Sequence, residues 1–419
     1  MFDQARREIM EPAARERALM AALPEHVAHA KRCSSTQAIR LHHIDAAEVS
    51  SREELTRLPL LRKRDLMYEQ GRRRAGDPFG GFAASGWRGL AGTRRARRVF
   101  QSPGPLYEPE GEGLDPWRMS RAMAAAGFAD GDLVHNSFSY HLTPAGAMME
   151  SGALALGCTV FPGGVGQTEL QLAAILDLQP HAYVGTPSFL KILTEQAESR
   201  GMLLGNVTKA LVSGEAFPPS MREWLQGRGI QAFQAYATAD VGLIAYETKA
   251  REGLVLDEDV ILEIVDPVSA EPVPPGDIGE VVITALNKDY PLIRLATGDL
   301  SAILPGRCPT GRTNTRIRGW LGRADQATKV RGMFVHPEHV AKVAQRHPQI
   351  LKARLVIDGS IAEERLVLQV EAQSPSTELA AALVSSIREI TKLRGEVAFV
   401  QPGQLAPDGK MIEDRRRYD

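Results

Sequence analysis

The sequence predicts an α/β protein with a large first domain and a smaller second one. Three observations carry that expectation. Between about residues 115 and 240, short apolar runs alternate with stretches of helical periodicity, the signature of parallel strands covered by helices. From 250 to 305 the pattern changes to strands separated by turns, which marks a β-rich subdomain. From about 322 a new set of strands and helices begins, and it reads as a small α+β domain. The length of 419 residues suits about two to three domains at roughly 150 residues each.

The elements follow in chain order. Residues 1–70 read as helical: apolar residues recur at helical spacing from Ile9 to Leu23, and Ser51 ahead of Glu53 and Glu54 marks a helix start. Residues 71–105 are rich in Gly, Arg and Pro, so they read as loop with short strands. Strands are expected at Asp132–Ser137, Cys158–Phe161, Ala182–Gly185, Lys209–Ser213 and Gln231–Tyr236. Helices are expected at Trp117–Gly127, Gly146–Leu156, Thr168–Leu178, Ser188–Ser199 and Pro219–Gln226. Turn signals at Pro274–Gly276 and Asn287–Asp289 separate antiparallel strands, and 306–321 reads as a connection. In the tail, strands are expected near Ala353–Asp358 and Arg365–Val370, and helices near Pro337–Gln345 and Glu378–Lys392. No internal repeat or low-complexity tract interrupts the pattern.

Composition narrows the classes of function. Hydrophobic residues are 43% and charged residues 24%, ordinary usage for a globular chain with a sizeable core. Lys plus Arg is 50 and Asp plus Glu is 51, for a net charge of −1. No global excess points to nucleic acid or to an anionic membrane. The local basic runs at Arg72–Arg74, Arg94–Arg98 and Arg415–Arg417 read as solvated surface. Three widely spaced cysteines make neither a disulfide framework nor a zinc site, and a reducing cytosol is the simplest setting. The N-terminal stretch mixes both charges like an amphipathic helix, not a signal peptide. No uncharged apolar stretch approaches the roughly 20 residues of a membrane span. The expectation is a cytoplasmic protein with small-molecule partners, no nucleic acid and no membrane.

Four segments carry chemistry. The first is Tyr236-Ala237-Thr238-Ala239-Asp240-Val241-Gly242, directly after an expected strand. Small residues let a ligand ring approach the backbone, and the Thr238 hydroxyl and Asp240 carboxylate suit phosphate and Mg²⁺. The second is Arg294-Leu295-Ala296-Thr297-Gly298-Asp299, whose Asp can accept two hydrogen bonds from a ribose diol. The third is Gly322-Arg323-Ala324-Asp325, followed by Lys329-Val330-Arg331-Gly332, where the composition changes between domains. The fourth is Lys410 in PDGKMIEDRRR, where a tail lysine could carry a positive charge to a phosphoryl transition state. Taken singly, each also reads as ordinary structure: a strand–loop junction, a β-turn Asp, a connection and a solvated lysine.

Their order resembles the adenylate-forming (ANL) superfamily, specifically the phenylacetate–CoA ligase family. Leu58-Pro59 with Lys63-Arg64-Asp65-Leu66 resembles the family's "LP…K.DL" segment. His135-Asn136-Ser137-Phe138-Ser139-Tyr140 resembles its aromatic-rich pocket loop, and Gly163-Gly164, Gln167-Thr168-Glu169 and Gln171 resemble its "GGNTERQ" run. Thr186-Pro187-Ser188 and Ser213-Gly214-Glu215 match its TPS and GE motifs. Cys308-Pro309-Thr310-Gly311-Arg312-Thr313 resembles "CPCGRT" with one cysteine missing. The resemblance runs from about residue 50 to the end.

The resemblance implies an N-terminal adenylation domain over 1–321 and a small, mobile C-terminal domain over 322–419. It implies two steps, formation of an acyl-adenylate from an aromatic acid and ATP, then transfer of the acyl group to coenzyme A. It also implies roles. Ser213, Gly214, Glu215, Ala235, Tyr236 and Ala237 would line the nucleotide, with Tyr236 against the adenine. Thr238 would contact the α-phosphate, and Asp240, where the family usually has Glu, would bind Mg²⁺. Asp299 would hold the ribose, Arg323 would position the nucleotide, Asp325 would be the hinge and Lys410 would stabilise the transition state. Hinge rotation would bring Lys329, Arg331 and Gly332 to the thiolation site. Phe138, Tyr140, His141 and Thr143 would line the acid pocket, where a hydroxy- or amino-substituted ring suits the added polar groups. A homodimer is common among such relatives.

The chain departs from the family at the phosphate loop, which in the family reads roughly SSGTTGKPT. The stretch taken to correspond, residues 83–95, keeps Ser85-Gly86 and Gly92-Thr93 but has lost the hydroxyl run and the lysine. A different grip on the phosphates and a loss of adenylation are both open readings at this level. Two further functions stay open: loading of a carrier-protein thiol in place of CoA, and non-catalytic binding of AMP, acyl-adenylate or acyl-CoA.

Overall fold

The computed structural model of the protein describes residues 6–73, 75–90, 94–102, 105–204, 206–324, 328–330, 333–359, 364–406 and 410–416. The chain divides into two compact units, residues 1–297 with 302–319, and residues 298–301 with 320–419.

The first unit opens with helices Pro12–Cys33, Ser35–Arg40 and Arg52–Thr56. As the sequence indicates, Ser51 caps the last of these, its side chain accepting from Glu54 N at 3.2 Å. Strand β1 (Leu61–Arg62) leads directly into helix Lys63–Arg73. The Gly- and Arg-rich segment forms short strands β2 (Ser85–Gly86) and β3 (Arg94–Arg95), then the hairpin β4 (Val99–Ser102) and β5 (Leu106–Pro109). The alternating region gives β6 (Leu133–Asn136), β7 (Thr159–Pro162), β8 (Ala182–Gly185), β9 (Lys209–Val212) and β10 (Gln231–Thr238). Helices Ala145–Ala155, Thr168–Leu178, Pro187–Glu198 and Pro219–Gln226 connect them in turn. These match the sequence expectation to within about two residues. Pro187 and Pro219 each sit in a first helical turn, where a missing N–H costs nothing.

β10 turns straight back into β11 (Gly242–Glu247), a fully buried strand in a stretch to which the sequence reading assigns no element. Its run GLIAYE is apolar without alternation, and only three residues separate it from β10, so periodicity gave no boundary. β12 (Leu254–Leu256), β13 (Val260–Val265), β14 (Gly279–Ala285), β15 (Leu295–Ser301), β16 (Ile303–Leu304) and β17 (Arg316–Ile317) follow. The stretch 306–321 is therefore more than a connection.

Nine strands form one sheet in the order β16-β17-β12-β11-β10-β9-β8-β6-β7. Neighbours from β10 to β7 are parallel, and those from β10 back to β16 are antiparallel. β8 is buried at every residue, as a strand with helices on both faces must be. A second sheet, β1-β15-β14-β13, pairs β13 and β14 antiparallel over six residues. The parallel pairing of β1 with Leu295 and Ala296 places the Lys63 helix start beside the strand that carries the TGD motif.

A buried ion network ties the N-terminal helix to the turn before β13. Arg15 pairs with Glu258 at 2.8 Å, Arg7 and Arg121 with Asp259 at 2.5 and 2.7 Å, and Arg118 and Arg121 with Asp257 at 2.9 and 2.7 Å. Burial alone would raise the Asp259 carboxyl, but the hydrogen bond from Arg7 and the charge of Arg121 outweigh it and hold it at about 2. A depressed carboxyl stabilises the fold above its unfolded pKa of about 3.9 and loses that contribution as pH falls through the folded value. Asp259→Asn is therefore expected to lose about 2 kcal/mol relative to the parent at pH 6, and little at pH 2, in urea unfolding. An equal loss at both pH values would contradict the linkage.

The second unit holds the hairpin β18 (Thr328–Val330) and β19 (Met333–Val335), and a sheet of β20 (Ile350–Asp358), β21 (Arg365–Ala372), β22 (Glu396–Val400) and β23 (Ile412–Asp414) in the order β22-β21-β20-β23. Helices Pro337–Arg346 and Thr377–Thr391 pack on it through Val340, Val343, Leu383 and Ile387 against Leu355, Leu366 and Leu368. Ser376 caps the longer helix by accepting from Leu379 N at 3.1 Å. This is the α+β arrangement expected. β22 and β23 were not anticipated, because each pairs in parallel with a strand distant in sequence. Among the described residues no helix is long and apolar enough to cross a membrane.

Candidate active site

Parallel strands end on one edge of a sheet, and ligands of open α/β sheets gather beyond those carboxyl ends. In the first unit the loops after β6, β7, β8, β9 and β10 all leave that edge. They carry Phe138–Thr143, Gly163–Gly164, Thr186–Ser188, Ser213–Glu215 and Ala239–Val241. The topology thus brings together the residues expected for the acid pocket and the nucleotide.

Ser213 donates to the carbonyl of Ala235 at 2.8 Å, which locks the loop after β9 onto β10. Gly214 follows at φ +85°, a left-handed conformation that favours glycine. Glu215 accepts from Ser188 N at 2.6 Å, so the GE and TPS motifs hold one another. β10 carries a register shift between Tyr236 and Ala237, the local irregularity that often re-aims a side chain at a site. Tyr236 is partly exposed, and its hydroxyl donates to Thr297 Oγ1 at 3.2 Å. Thr238 accepts from Val241 N at 3.4 Å across the tight turn.

The loop after β6 is organised by Asn136. Its side-chain oxygen accepts from Phe138 N at 3.1 Å, and its amide donates to the Tyr140 hydroxyl at 2.7 Å and to Gly146 O at 2.8 Å. Phe138 is buried, Tyr140 and Thr143 are half-buried and His141 is exposed. Burial, then the neighbouring Glu150 carboxylate, raises the Tyr140 phenol, so it stays protonated. Below the pocket His135 stacks on Phe161 and Tyr183, with ring centroids 5.2 and 6.2 Å away. Its Nε2 hydrogen-bonds Gln171 Oε1 at 2.7 Å, and Gln171 in turn donates to Gly164 O at 2.8 Å and Gly166 O at 2.6 Å. Desolvation lowers the His135 pKa, which favours the neutral ring. A Cβ on Gly163 would come within 2.9 Å of both Gln171 Oε1 and His135 Nε2. Gly163→Ala is expected to cost about 1–3 kcal/mol in urea unfolding as the His135–Gln171 bond is forced apart. A midpoint equal to the parent's would show that the pair has room to yield.

Asp240 is 3% exposed, and Lys63 Nζ stands 3.0 Å from its Oδ2. Among the described residues, no hydrogen bond of acceptable geometry reaches either carboxylate oxygen. Glu108, on β5, is 2% exposed and accepts from Ser102 Oγ at 2.5 Å through Oε1, while its Oε2 has no hydrogen-bond partner among the described residues. Burial, then the charge of Asp240, pushes the Glu108 carboxyl up to about 8; the Ser102 bond and the Lys63 charge pull it down only in part. Buried Tyr290 feels the same two carboxyls: desolvation first, then Glu108 and Asp240, raise its phenol. Neither Glu108 nor the Lys63 ion pair was picked out from the sequence as part of a site. Lys63 stood in a motif without an assigned role, and Glu108 in the run LYEPEGEG carries no local signal.

Residues 83–95 contain short strands within a loop, as the sequence suggests. Ser85 and Gly86 form β2 against Arg94 and Arg95, and the Ser85 hydroxyl donates to Asp289 O at 3.0 Å. Ala84 N also donates to Asp289 O, and Trp87 packs edge-on against Phe79. The Ser85 hydroxyl is thus a framework contact. Gly92 and Thr93 lie outside the described residues. The β4–β5 hairpin carries Glu108 into the electrostatic field of Asp240, and Gln101 N ties that hairpin to Leu142 O of the acid-pocket loop at 2.9 Å.

In the second unit, Asp299 and Arg323 form an isolated antiparallel bridge. Asp299 Oδ1 accepts from Arg323 Nη1 at 3.2 Å and from Trp320 Nε1 at 3.1 Å. Gly298, at φ +76°, makes the turn that presents Asp299. Lys410 is exposed, and its carbonyl accepts from Arg354 Nε at 3.1 Å just ahead of β23. Lys329 lies in β18 opposite Phe334. Asp325, Arg331 and Gly332 lie outside the described residues.

A parallel-strand edge lined by these loops, followed by a separate small α+β unit, is the build of an AMP-binding enzyme, and residues 124–287 match the family model of that description. The chain belongs to the phenylacetate–coenzyme A ligase family. It is 31% identical to the phenylacetate-coenzyme A ligase of Thermus thermophilus over 336 residues, covering 76% of this chain and 72% of that one. It is 30% identical to the Aromatoleum evansii enzyme of the same name over 363 residues, covering 83% and 78%. Among solved structures, an open conformation of 2-hydroxyisobutyryl-CoA ligase with 2-HIB-AMP and CoA aligns with a TM-score of 0.82 at 22% identity, over 98% of this chain and 94% of that one. ATP-bound MatB from Rhodopseudomonas palustris aligns with a TM-score of 0.56 at 16% identity, over 77% and 67%. At these identities the two structures establish the shared fold.

Proposed function

We propose that the chain is an ATP-dependent, AMP-forming acid–thiol ligase that converts a phenylacetate- or benzoate-like acid to its coenzyme A thioester. The observation that carries this is identity of 30% or more to phenylacetate-coenzyme A ligases over three quarters of the chain. In the first step a carboxylate oxygen attacks the α-phosphorus of ATP and pyrophosphate leaves. In the second the sulfur of CoA attacks the acyl carbon, the thiol proton is lost and AMP leaves. Adenylation makes this feasible, because AMP is a far better leaving group than oxide.

In this reading residues 1–321 bind acid and ATP and residues 322–419 supply the lysine and the thiolation face. Ser213, Gly214, Glu215 and Ala235–Ala237 line the nucleotide, and Thr238 contacts the α-phosphate. Asp299 holds the ribose diol and Arg323 orients the nucleotide. Phe138 and Tyr140 clasp the ring, while His141 and Thr143 favour a hydroxy- or amino-substituted acid. Lys410 serves adenylation, Asp325 is the hinge, and Lys329, Arg331 and Gly332 face the thiol. The buried Asp240 carboxylate, which pairs with Lys63 but receives no hydrogen bond of acceptable geometry among the described residues, would suit a Mg²⁺ ion held jointly with the triphosphate. Such an ion would neutralise phosphate charge. A cytoplasmic homodimer completes the reading.

The test incubates the protein with ATP, Mg²⁺, CoA and a panel of benzoic and phenylacetic acids, and quantifies AMP and thioester together. Equal amounts of both support the proposal. AMP without thioester points to another thiol, such as a carrier protein. Absence of both products, with AMP still bound, favours a binding protein.

A further inference from the structure

We propose that Lys63 contacts the β- and γ-phosphates of ATP, supplying a cation in place of the phosphate-loop lysine; this rests on the adenylating function proposed above. Three observations lead there. Residues 83–95 contain no lysine, and the Ser85 hydroxyl is committed to the Asp289 carbonyl at 3.0 Å. Lys63 Nζ lies 3.0 Å from Asp240 Oδ2, and Asp240 stands two residues beyond Thr238, the contact proposed for the α-phosphate. Lys63 is also the first residue of its helix, directly after β1, and the pairing of β1 with β15 fixes where that helix begins.

The plain alternative is that Lys63 only neutralises a buried carboxylate. The two partners differ in burial, however: the Asp240 side chain is 1% exposed and that of Lys63 39%. An ammonium has three N–H donors, and none of them makes a hydrogen bond of acceptable geometry to Asp240. Those donors stay open to an anion arriving from solvent, while the buried charge beneath fixes where a flexible lysine points. A compact point charge held in place in advance suits phosphate oxygens. In adenylation the acid's carboxylate oxygen bonds to the α-phosphorus, and the bond to the bridging oxygen breaks. Its electron pair leaves with pyrophosphate, so a cation on the β- and γ-phosphates favours the leaving group. No proton moves to or from Lys63 in this step.

The experiment measures binding of α,β-methylene-ATP and of AMP by isothermal titration calorimetry, in EDTA so that no metal bridges the phosphates. Lys63→Met alone strands the Asp240 charge, so Lys63→Met and Lys63→Arg are each also made in an Asp240→Asn background, where no buried charge needs balancing. The proposal expects Lys63→Met to weaken the ATP analogue at least about 10-fold in both backgrounds, with AMP affinity within about 2-fold of its background. Lys63→Arg should retain most of the analogue's affinity. Equal weakening of the two nucleotides, or an analogue affinity that Lys63→Met leaves unchanged in the Asp240→Asn background, overturns it. If the analogue and AMP are distinguished as expected but the parent forms no AMP with any acid, the ligase reading fails while Lys63 keeps its phosphate contact.

Discussion

Lys410→Ala is expected to slow acyl-adenylate formation about 10²–10³-fold, or about 3–4 kcal/mol of transition-state stabilisation. Thioester formation from added acyl-adenylate and CoA should stay within a few-fold of the parent. The asymmetry is diagnostic. Adenylation passes through a phosphoryl centre whose negative charge shifts toward the leaving pyrophosphate, and an ammonium placed there matters most in the transition state. The second half-reaction places no such charge beside the lysine. Lys410 is exposed, and its carbonyl is tied by Arg354 ahead of β23, so truncating the side chain leaves the fold of the second unit in place. Pyrophosphate release and thioester formation, measured as separate half-reactions, check this. Equal losses in both would mean that the residue acts on structure or on binding common to the two.

Arg294→Ala is expected to destabilise the first unit by about 3–5 kcal/mol, seen as a lowered urea midpoint. Arg294 opens the RLATGD run that marks a nucleotide site in the sequence, but its own side chain faces away from such a role. Its guanidinium is 3% exposed and pairs with Glu263, 5% exposed, through Nε at 3.0 Å and Nη2 at 2.8 Å. Nη1 donates to the carbonyls of Thr56, at 2.6 Å, and Leu58. One side chain thus joins the helix before β1, strand β13 and the approach to β15. Removing it strands a buried carboxylate and two carbonyls together, and breaking one half of a buried pair costs far more than the intact pair contributes. A loss under about 1 kcal/mol would show that water reaches Glu263 freely.

Most of the fold was legible because period and packing agree. Buried parallel strands such as β8 and the helices between them announce themselves as apolar runs and helical repeats. Ser51 caps its helix where the sequence marks a helix start. What failed to show was set by long-range pairing. β11 is apolar throughout and follows β10 too closely for periodicity to find the turn. β22 and β23 are ordinary short runs that become strands only because β21 and β20 offer them edges.

The site divides the same way. The loops at the carboxyl ends of β6, β9 and β10 could be placed from strand order and motif spacing, since one topological rule sends them to one edge. Glu108 could not. It comes from a hairpin more than a hundred residues before Asp240, and nothing in its neighbours marks it; only folding places the two carboxyls in one another's field. Ser85 is the converse case. Its Ser-Gly pair looks like a phosphate grip, but β2 pairing and the Asp289 carbonyl already occupy the backbone and hydroxyl.

The most direct test of the account follows one oxygen atom. Phenylacetate labelled with ¹⁸O in the carboxylate is turned over with ATP, Mg²⁺ and CoA, and the products are read by mass spectrometry. If the carboxylate attacks the α-phosphorus, one labelled oxygen leaves with AMP when the thioester forms. Label in AMP is the predicted result. Label in inorganic phosphate with ADP as the nucleotide product, or thioester formed with unlabelled AMP, would contradict an acyl-adenylate.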